Sequence, residues 1–279
     1  MNSPLPSSKL AGIGVDIAVD RARPAITQRI QQTEAEHNLR VLFACESGSR
    51  AWGFASNDSD FDIRLIYVRP ADQYVRLRPP VDAFDLDSDD DFDLAGWDIR
   101  KAAELMRKSN GPLFEWLDSP IVYFRDDEIS PRLIELARTY FDPKKSVYHY
   151  LSLAGGVWKK HLLNEPQPVR KKYLYTLRPL ACVSYIEKYR KQPPTEFLAV
   201  LNEIDLDADV RAAIDSLVED KKANRELGRG AADQTLNQWI TQRIQTGNEL
   251  AAALPANEAD NKALDELIAA AIFGNGVTR

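Results

Sequence analysis

The sequence predicts an α+β fold, a small mixed-sheet head followed by a helical C-terminal domain. Three observations predict it. Short runs of strand character lie between residues 40 and 97, helical spacing dominates after residue 110, and charge divides along a similar line.

Residues 1–23 contain Pro, Ser and Gly without a sustained period and read as a loose arm. Pro24 suits the first turn of a helix reaching Asn38, with Ile26, Ile30 and Thr33 at helical spacing. Arg40–Glu46 is an apolar run of strand length, and Phe61–Val68 alternates polar and apolar residues as a half-buried strand does. The stretch between them is rich in small and turn-forming residues. Pro79 and Pro80 open an acidic loop that leads to a third strand, Phe92–Trp97. Asp98 then caps a helix over Ile99–Ser109, with Ile99, Ala102, Ala103 and Met106 on one side. Beyond Asn110-Gly-Pro112 the pattern predicts helices at 113–118, 127–139, 144–163, 168–190, 195–202, 207–224, 232–253 and 259–272. The expected division is an arm over 1–23, a head over 24–140 and a helical domain over 141–279, and no internal repeat is visible.

The chain has 279 residues, 44% hydrophobic and 28% charged, the composition of an ordinary globular protein. Its net charge of −6 excludes a globally basic nucleic-acid or membrane binder, and no apolar run of membrane-spanning length occurs. Two cysteines make no disulfide framework, and with no secretory leader pattern the expected compartment is the cytoplasm. Charge is uneven, however. Lys144–Lys191 carries eleven Lys and Arg against Glu165 and Glu187 alone, so a basic segment follows an acidic half. That asymmetry suits a protein that gathers cations in one place and polyanions in another.

The most informative stretch runs from Glu46 to Arg64. Gly48-Ser49 is followed after ten residues by Asp60-Phe-Asp62. Residues two apart on a strand share a face, so Asp60 and Asp62 are expected side by side, with Phe61, Ile63 and Leu65 toward the core. Two ionised carboxylates that close repel unless cations lie between them, and hard oxygen ligands favour Mg²⁺ or Mn²⁺. Gly48 permits close backbone approach, the amides of such a turn can cradle phosphate, Ser49 adds a hydroxyl, and Arg50 adds a charge-assisted contact.

These residues resemble the Gly-Ser…Asp-x-Asp signature of the DNA polymerase beta-type nucleotidyltransferase superfamily. With Gly96–Lys101, Ser109-Asn110 and Glu115–Tyr123, the stretch is similar to bacterial nucleotidyltransferases linked to RNA repair. The likeness covers residues 40–125, and Lys171–Arg178 extends it weakly. It implies a divalent-metal enzyme that moves a nucleoside monophosphate from an NTP to an acceptor and releases pyrophosphate. By the same likeness Asp60 and Asp62 match the metal-binding pair, and Gly48 and Ser49 match the triphosphate turn. A third carboxylate is implied on a neighbouring strand. Asp93, flanked by apolar residues, is the expected one; Asp98, which capping already explains, is the alternative.

Other signals weigh less. The aspartates at 82, 85, 87, 89, 90 and 91 fail the calcium-loop pattern, since the sixth and twelfth places from Asp85 hold Asp90 and Gly96. Lys171, Tyr175 and Arg178 form one helical stripe able to face triphosphate or RNA, with Tyr175 available for stacking and Arg178 as a nucleotide contact. The three histidines have no metal-like spacing. The expected acceptor is an RNA end. Transfer of AMP to protein, in a toxin–antitoxin or regulatory setting, and a non-catalytic nucleotide or RNA sensor are the alternatives.

Overall fold

The computed structural model describes residues 17–56, 58–86, 92–223, 227–255, 257 and 260–274. The chain opens with α1 (Ile17–His37), β1 (Arg40–Glu46), the single turn α2 (Gly48–Ala51) and β2 (Phe61–Val68). Next come α3 (Ala71–Tyr74), β3 (Ala83–Leu86), β4 (Phe92–Asp98), α4 (Ile99–Arg107), α5 (Gly111–Leu117) and β5 (Val122–Arg125). The rest is helical: α6 (Ile129–Tyr140), α7 (Pro143–His161), α8 (Lys171–Tyr189), α9 (Phe197–Glu203), α10 (Ala208–Lys222), α11 (Gln234–Ala253) and α12 (Lys262–Phe273). The α+β architecture is as expected.

Among the described residues the sheet has the order β3-β4-β2-β1-β5. It is mixed: β2 and β4 run parallel, and the other neighbouring pairs are antiparallel. Alternation decides its two faces. Phe61, Ile63, Leu65 and Tyr67 of β2 join Leu94 and the α1 residues Val19, Ile26 and Ile30 in one core. The opposite face contributes Ile66 and Val68 to a larger core that runs from Leu42 through the helices to Ala271. Asp62 and Arg64 belong by their alternation to this second face, so polar strand positions lie on the side that the later helices cover.

Two expectations are corrected. Residues 17–23 are helical, not part of an arm, and residues 1–16 lie outside the described residues. Val19 falls on the stripe of Ile26, Ile30 and Thr33, so its burial extends the helix past Pro24, which sits inside α1 rather than in its first turn. The acidic loop also contains a strand. Asp85 lies in β3, which pairs with β4, while the aspartates at 87, 89, 90 and 91 lie outside the described residues.

Candidate active site

The site begins at the turn from β1 to α2. Gly48 has φ +58°, a left-handed conformation that favours glycine. A Cβ there would lie 1.9 Å from Oδ2 of Asp62, so only glycine lets the turn and this carboxylate touch. The Ser47 amide donates to the Asp62 carbonyl at 2.8 Å, which ties the turn to β2. Ser47 gives α2 no side-chain cap, and the first amides of a helix have no intrahelical acceptor. Gly48 and Ser49 thus present a turn suited to an anionic group.

Asp62 and Asp93 are register partners in the parallel β2–β4 pair. One nitrogen of Arg64 joins them: Nη2 donates to Asp62 Oδ1 at 2.9 Å and to Asp93 Oδ2 at 2.7 Å. Burial pushes the Asp62 carboxyl above the usual carboxylate range, the Arg64 guanidinium pulls it back, and the charges of Asp93 and Asp60 push it up again. Asp60 precedes β2, so the strand alternation expected to set it beside Asp62 does not extend to it. It lies exposed just before Phe61, close enough for its charge to reach Asp62. Two carboxylates therefore converge, Asp62 with Asp93, and Asp60 stands at their edge.

Asp98 is elsewhere. Five residues beyond Asp93, it falls on the other face of β4, accepts from the Arg100 amide at 3.0 Å and the Tyr74 hydroxyl at 2.7 Å, and is fully buried. It caps α4.

The two arginines expected at phosphate are turned inward. Arg50 is buried, donates to the carbonyls of Ser59 at 2.5 Å and Asp60 at 3.3 Å, and lies over the Phe61 ring. It braces the loop that precedes β2. Arg178 donates to Glu115 Oε1 at 3.0 Å and to the Thr195 carbonyl at 3.2 Å, with its guanidinium over Trp52. Glu115 also accepts from Trp52 and Tyr150, both at 3.2 Å. Arg50 and Arg178 thus each have internal partners, because each lies next to an acceptor already out of water.

Three residues around the site were given no part in it by the sequence reading. Arg64 had a readable signal, since the alternation that pairs Asp60 with Asp62 puts Arg64 on the same face. Glu46, an acid closing an apolar run, is fully buried; it accepts from the Asp62 amide at 2.8 Å and from the hydroxyl of Tyr123, the third residue, at 2.6 Å. Burial pushes Glu46 up to about 7 against both hydrogen bonds. Tyr175 lies on the first half of α8. It packs edge-on against Trp52 and Phe54, remains partly exposed, and feels the charge of Asp62.

Asp62 and Asp93 present hard oxygens beside a turn fit for phosphate, a donor set that suits Mg²⁺ or Mn²⁺. Among the described residues no three acidic, His or Cys side chains form a ready cage.

Comparison with known proteins gives this geometry a family. The chain matches RlaP, the RNA repair pathway DNA polymerase beta family, over residues 22–270. The chain belongs to that family. It is a polymerase beta-type nucleotidyltransferase, in a family tied to RNA repair. It is 36% identical over 235 residues to the uncharacterized protein YcgL of Bacillus subtilis (strain 168), covering 84% of this chain and 90% of YcgL. A crystal structure of a nucleotidyltransferase-like protein from Exiguobacterium sibiricum overlaps 82% of this chain and 75% of its own, at 14% identity and a TM-score of 0.30. Among the described residues of this family member, no helix is long and apolar enough to cross a membrane.

Proposed function

We propose that this family member transfers a nucleoside monophosphate from an NTP to a hydroxyl at an RNA end, with Mg²⁺ or Mn²⁺ held by Asp62 and Asp93. The observation that carries the reading is the Asp62 carboxylate lying against the Gly48 turn, where a Cβ would come within 1.9 Å of it, with Asp93 alongside. Triphosphate held by Gly48 and Ser49 brings its negative charge to the carboxylates that share the cation. When bound, the divalent ion neutralises the triphosphate and the departing pyrophosphate. Asp60 adds a third negative charge at the edge of the site, and Asp93, at 45% side-chain exposure against 30% for Asp62, is the carboxylate nearer solvent and the acceptor. The acceptor oxygen bonds to the α-phosphorus, the bond from that phosphorus to the bridging oxygen breaks, pyrophosphate leaves, and the hydroxyl proton passes to solvent. Positioning and charge stabilisation supply most of the acceleration in such transfers.

An RNA acceptor is favoured by the cations near this site. Lys159, Lys160 and His161 end α7 as Lys171 and Lys172 begin α8. Desolvation and the charges of Lys172 and Lys160 hold His161 below its usual value, which puts His161, Lys160 and Lys172 in one field. Lys172 also lies over the Tyr175 ring, and Tyr175 feels Asp62. Positive charge thus gathers at the α7–α8 corner, where a phosphate backbone would find it, and Tyr175 lies within reach of both Lys172 and the charge of Asp62.

The test is a panel of α-labelled NTPs offered to RNA 3′ ends and to total cell protein, with Mg²⁺ or Mn²⁺, beside Asp62→Ala. Label in RNA that disappears in the variant is expected. Label in protein alone would replace the RNA acceptor with a protein hydroxyl, and nucleotide binding without pyrophosphate release would make the chain a sensor.

A further inference from the structure

Arg64 solves a problem that the proposed chemistry otherwise assigns to metal. Two carboxylates this close need positive charge between them. Here the charge is resident: Nη2 of Arg64 touches one oxygen of Asp62 and one of Asp93, at 2.9 and 2.7 Å. The guanidinium is fixed from its other side, because Nη1 donates to the carbonyls of Asp93 at 3.0 Å and Ile63 at 3.1 Å. With backbone on one nitrogen and both acids on the other, the fork is spanned, and Arg64 is only 16% exposed. Its grip is also partial. It holds Oδ1 of Asp62, while Oδ2 of the same carboxylate faces Gly48. The oxygen turned toward the phosphate turn is the one Arg64 leaves alone.

We infer that Arg64 is a positioning residue whose fixed charge keeps the carboxylate pair poor in metal until a nucleotide arrives, so that the cation enters together with the triphosphate. The inference rests on the reading of Asp62 and Asp93 as the metal carboxylates. Its physical basis is charge balance. Arg64 cancels one of the three carboxylate charges of Asp62, Asp93 and Asp60, which leaves −2, and a cation only a few ångströms away opposes a lone divalent ion directly. Triphosphate at the Gly48-Ser49 turn restores the negative charge that Arg64 cancels. Arg64 need not move, since Asp62 Oδ2 already points to the turn.

The experiment is a Mn²⁺ titration followed by electron paramagnetic resonance, with and without a non-hydrolysable NTP analogue, on the wild type, Arg64→Gln, Arg64→Lys and Asp62→Asn. Circular dichroism verifies that each is folded. The wild type is expected to bind Mn²⁺ at least tenfold tighter with the analogue than without it. Arg64→Gln is expected to bind Mn²⁺ alone at least tenfold tighter than the wild type and to lose most of the dependence on nucleotide. Arg64→Lys, which keeps the charge, should stay within about threefold of the wild type; it decides the matter should the glutamine variant not fold. Equal or weaker Mn²⁺ binding by Arg64→Gln, or tightening in Arg64→Lys, overturns the inference. A wild type that binds no Mn²⁺ even with the analogue, or an Asp62→Asn variant that binds as the wild type does, overturns instead the reading of the carboxylates as a metal site.

Discussion

Arg64 and Arg178 each bind carboxylate, in opposite settings. Arg178 and Glu115 are sealed, with side chains 5% and 13% exposed, and both oxygens of Glu115 are engaged by Arg178, Tyr150 and Trp52. Arg64 is nearly as buried, but its acids are open, Asp62 at 30% and Asp93 at 45%. The sealed pair joins the C-cap of α2 to α5, α7 and α8, and each oxygen of Glu115 already has a partner. The open group leaves Asp62 Oδ2 facing the Gly48 turn. One kind of ion pair serves as an internal clamp where water is excluded and keeps its carboxylates open to solvent where it is not.

The sharpest way to break this comparison is to neutralise the open member. Asp62→Asn should lower nucleotidyl transfer by roughly 10³-fold or more with the melting temperature little changed, read by labelled-NTP transfer and calorimetry. Substantial residual activity would remove the β2–β4 group from the chemistry. Gly48→Ala tests the same contact from the other side. Its Cβ would meet Asp62 and its φ is positive, so activity should fall similarly while stability drops by about 1–2 kcal/mol of backbone strain.

Opening the sealed member should act on stability. Arg178→Met leaves Glu115 buried and unpaired, at a cost of roughly 3–5 kcal/mol by urea denaturation. Adding Glu115→Gln should recover part of the loss. If Arg178→Met instead stays stable and raises KM for NTP, Arg178 is the nucleotide contact its helical stripe suggested.

Glu46 sharpens the comparison from beneath the site, as a buried carboxyl whose partners are a hydroxyl and an amide rather than an arginine. Its ordinary value of 4.5 rises to about 7 in the fold. Between those values the folded chain holds a proton that the unfolded chain has released. The group's contribution is therefore whole below pH 4.5 and is lost as pH rises through 7, a swing of about 3 kcal/mol. Glu46→Gln should flatten that part of the stability curve between pH 5 and 8, measured by urea titration. An unchanged slope would mean that Glu46 ionises normally.

Much of this was legible in the sequence, where local period carries the information. The helices after residue 110 carry helical spacing, and each lies near its expected span. By contrast β3 and β5 are four-residue edge strands, too short for alternation to register. Within the site, strand phase separates Asp93 from Asp98, since positions five apart face opposite ways. Partners distant in sequence were not legible. Nothing local to Arg178 announces Glu115, 63 residues upstream, and nothing at Glu46 announces Tyr123. The sequence thus offers Arg50 and Arg178 as phosphate and nucleotide contacts, and only the fold reveals the buried acceptors that each also holds.

The smallest expected effect lies outside both arginine groups, on the lysines at the α7–α8 corner. Lys160 is exposed and Lys172 half-buried, and among the described residues neither is in an ion pair, so removing them leaves no buried charge behind. The double variant Lys160→Ala with Lys172→Ala should keep its stability within about 0.5 kcal/mol, the usual range for surface substitutions. If an RNA strand runs over this corner, the variant should raise KM for the RNA acceptor several-fold and reduce the salt dependence of binding by ~1–2 in log–log slope. The rate at saturating RNA and the KM for NTP should hold, since neither lysine belongs to the carboxylate group. A variant that loses NTP affinity and keeps RNA affinity would move these lysines from the acceptor to the triphosphate. The corner would then be an extension of the open carboxylate site, not a separate approach to it.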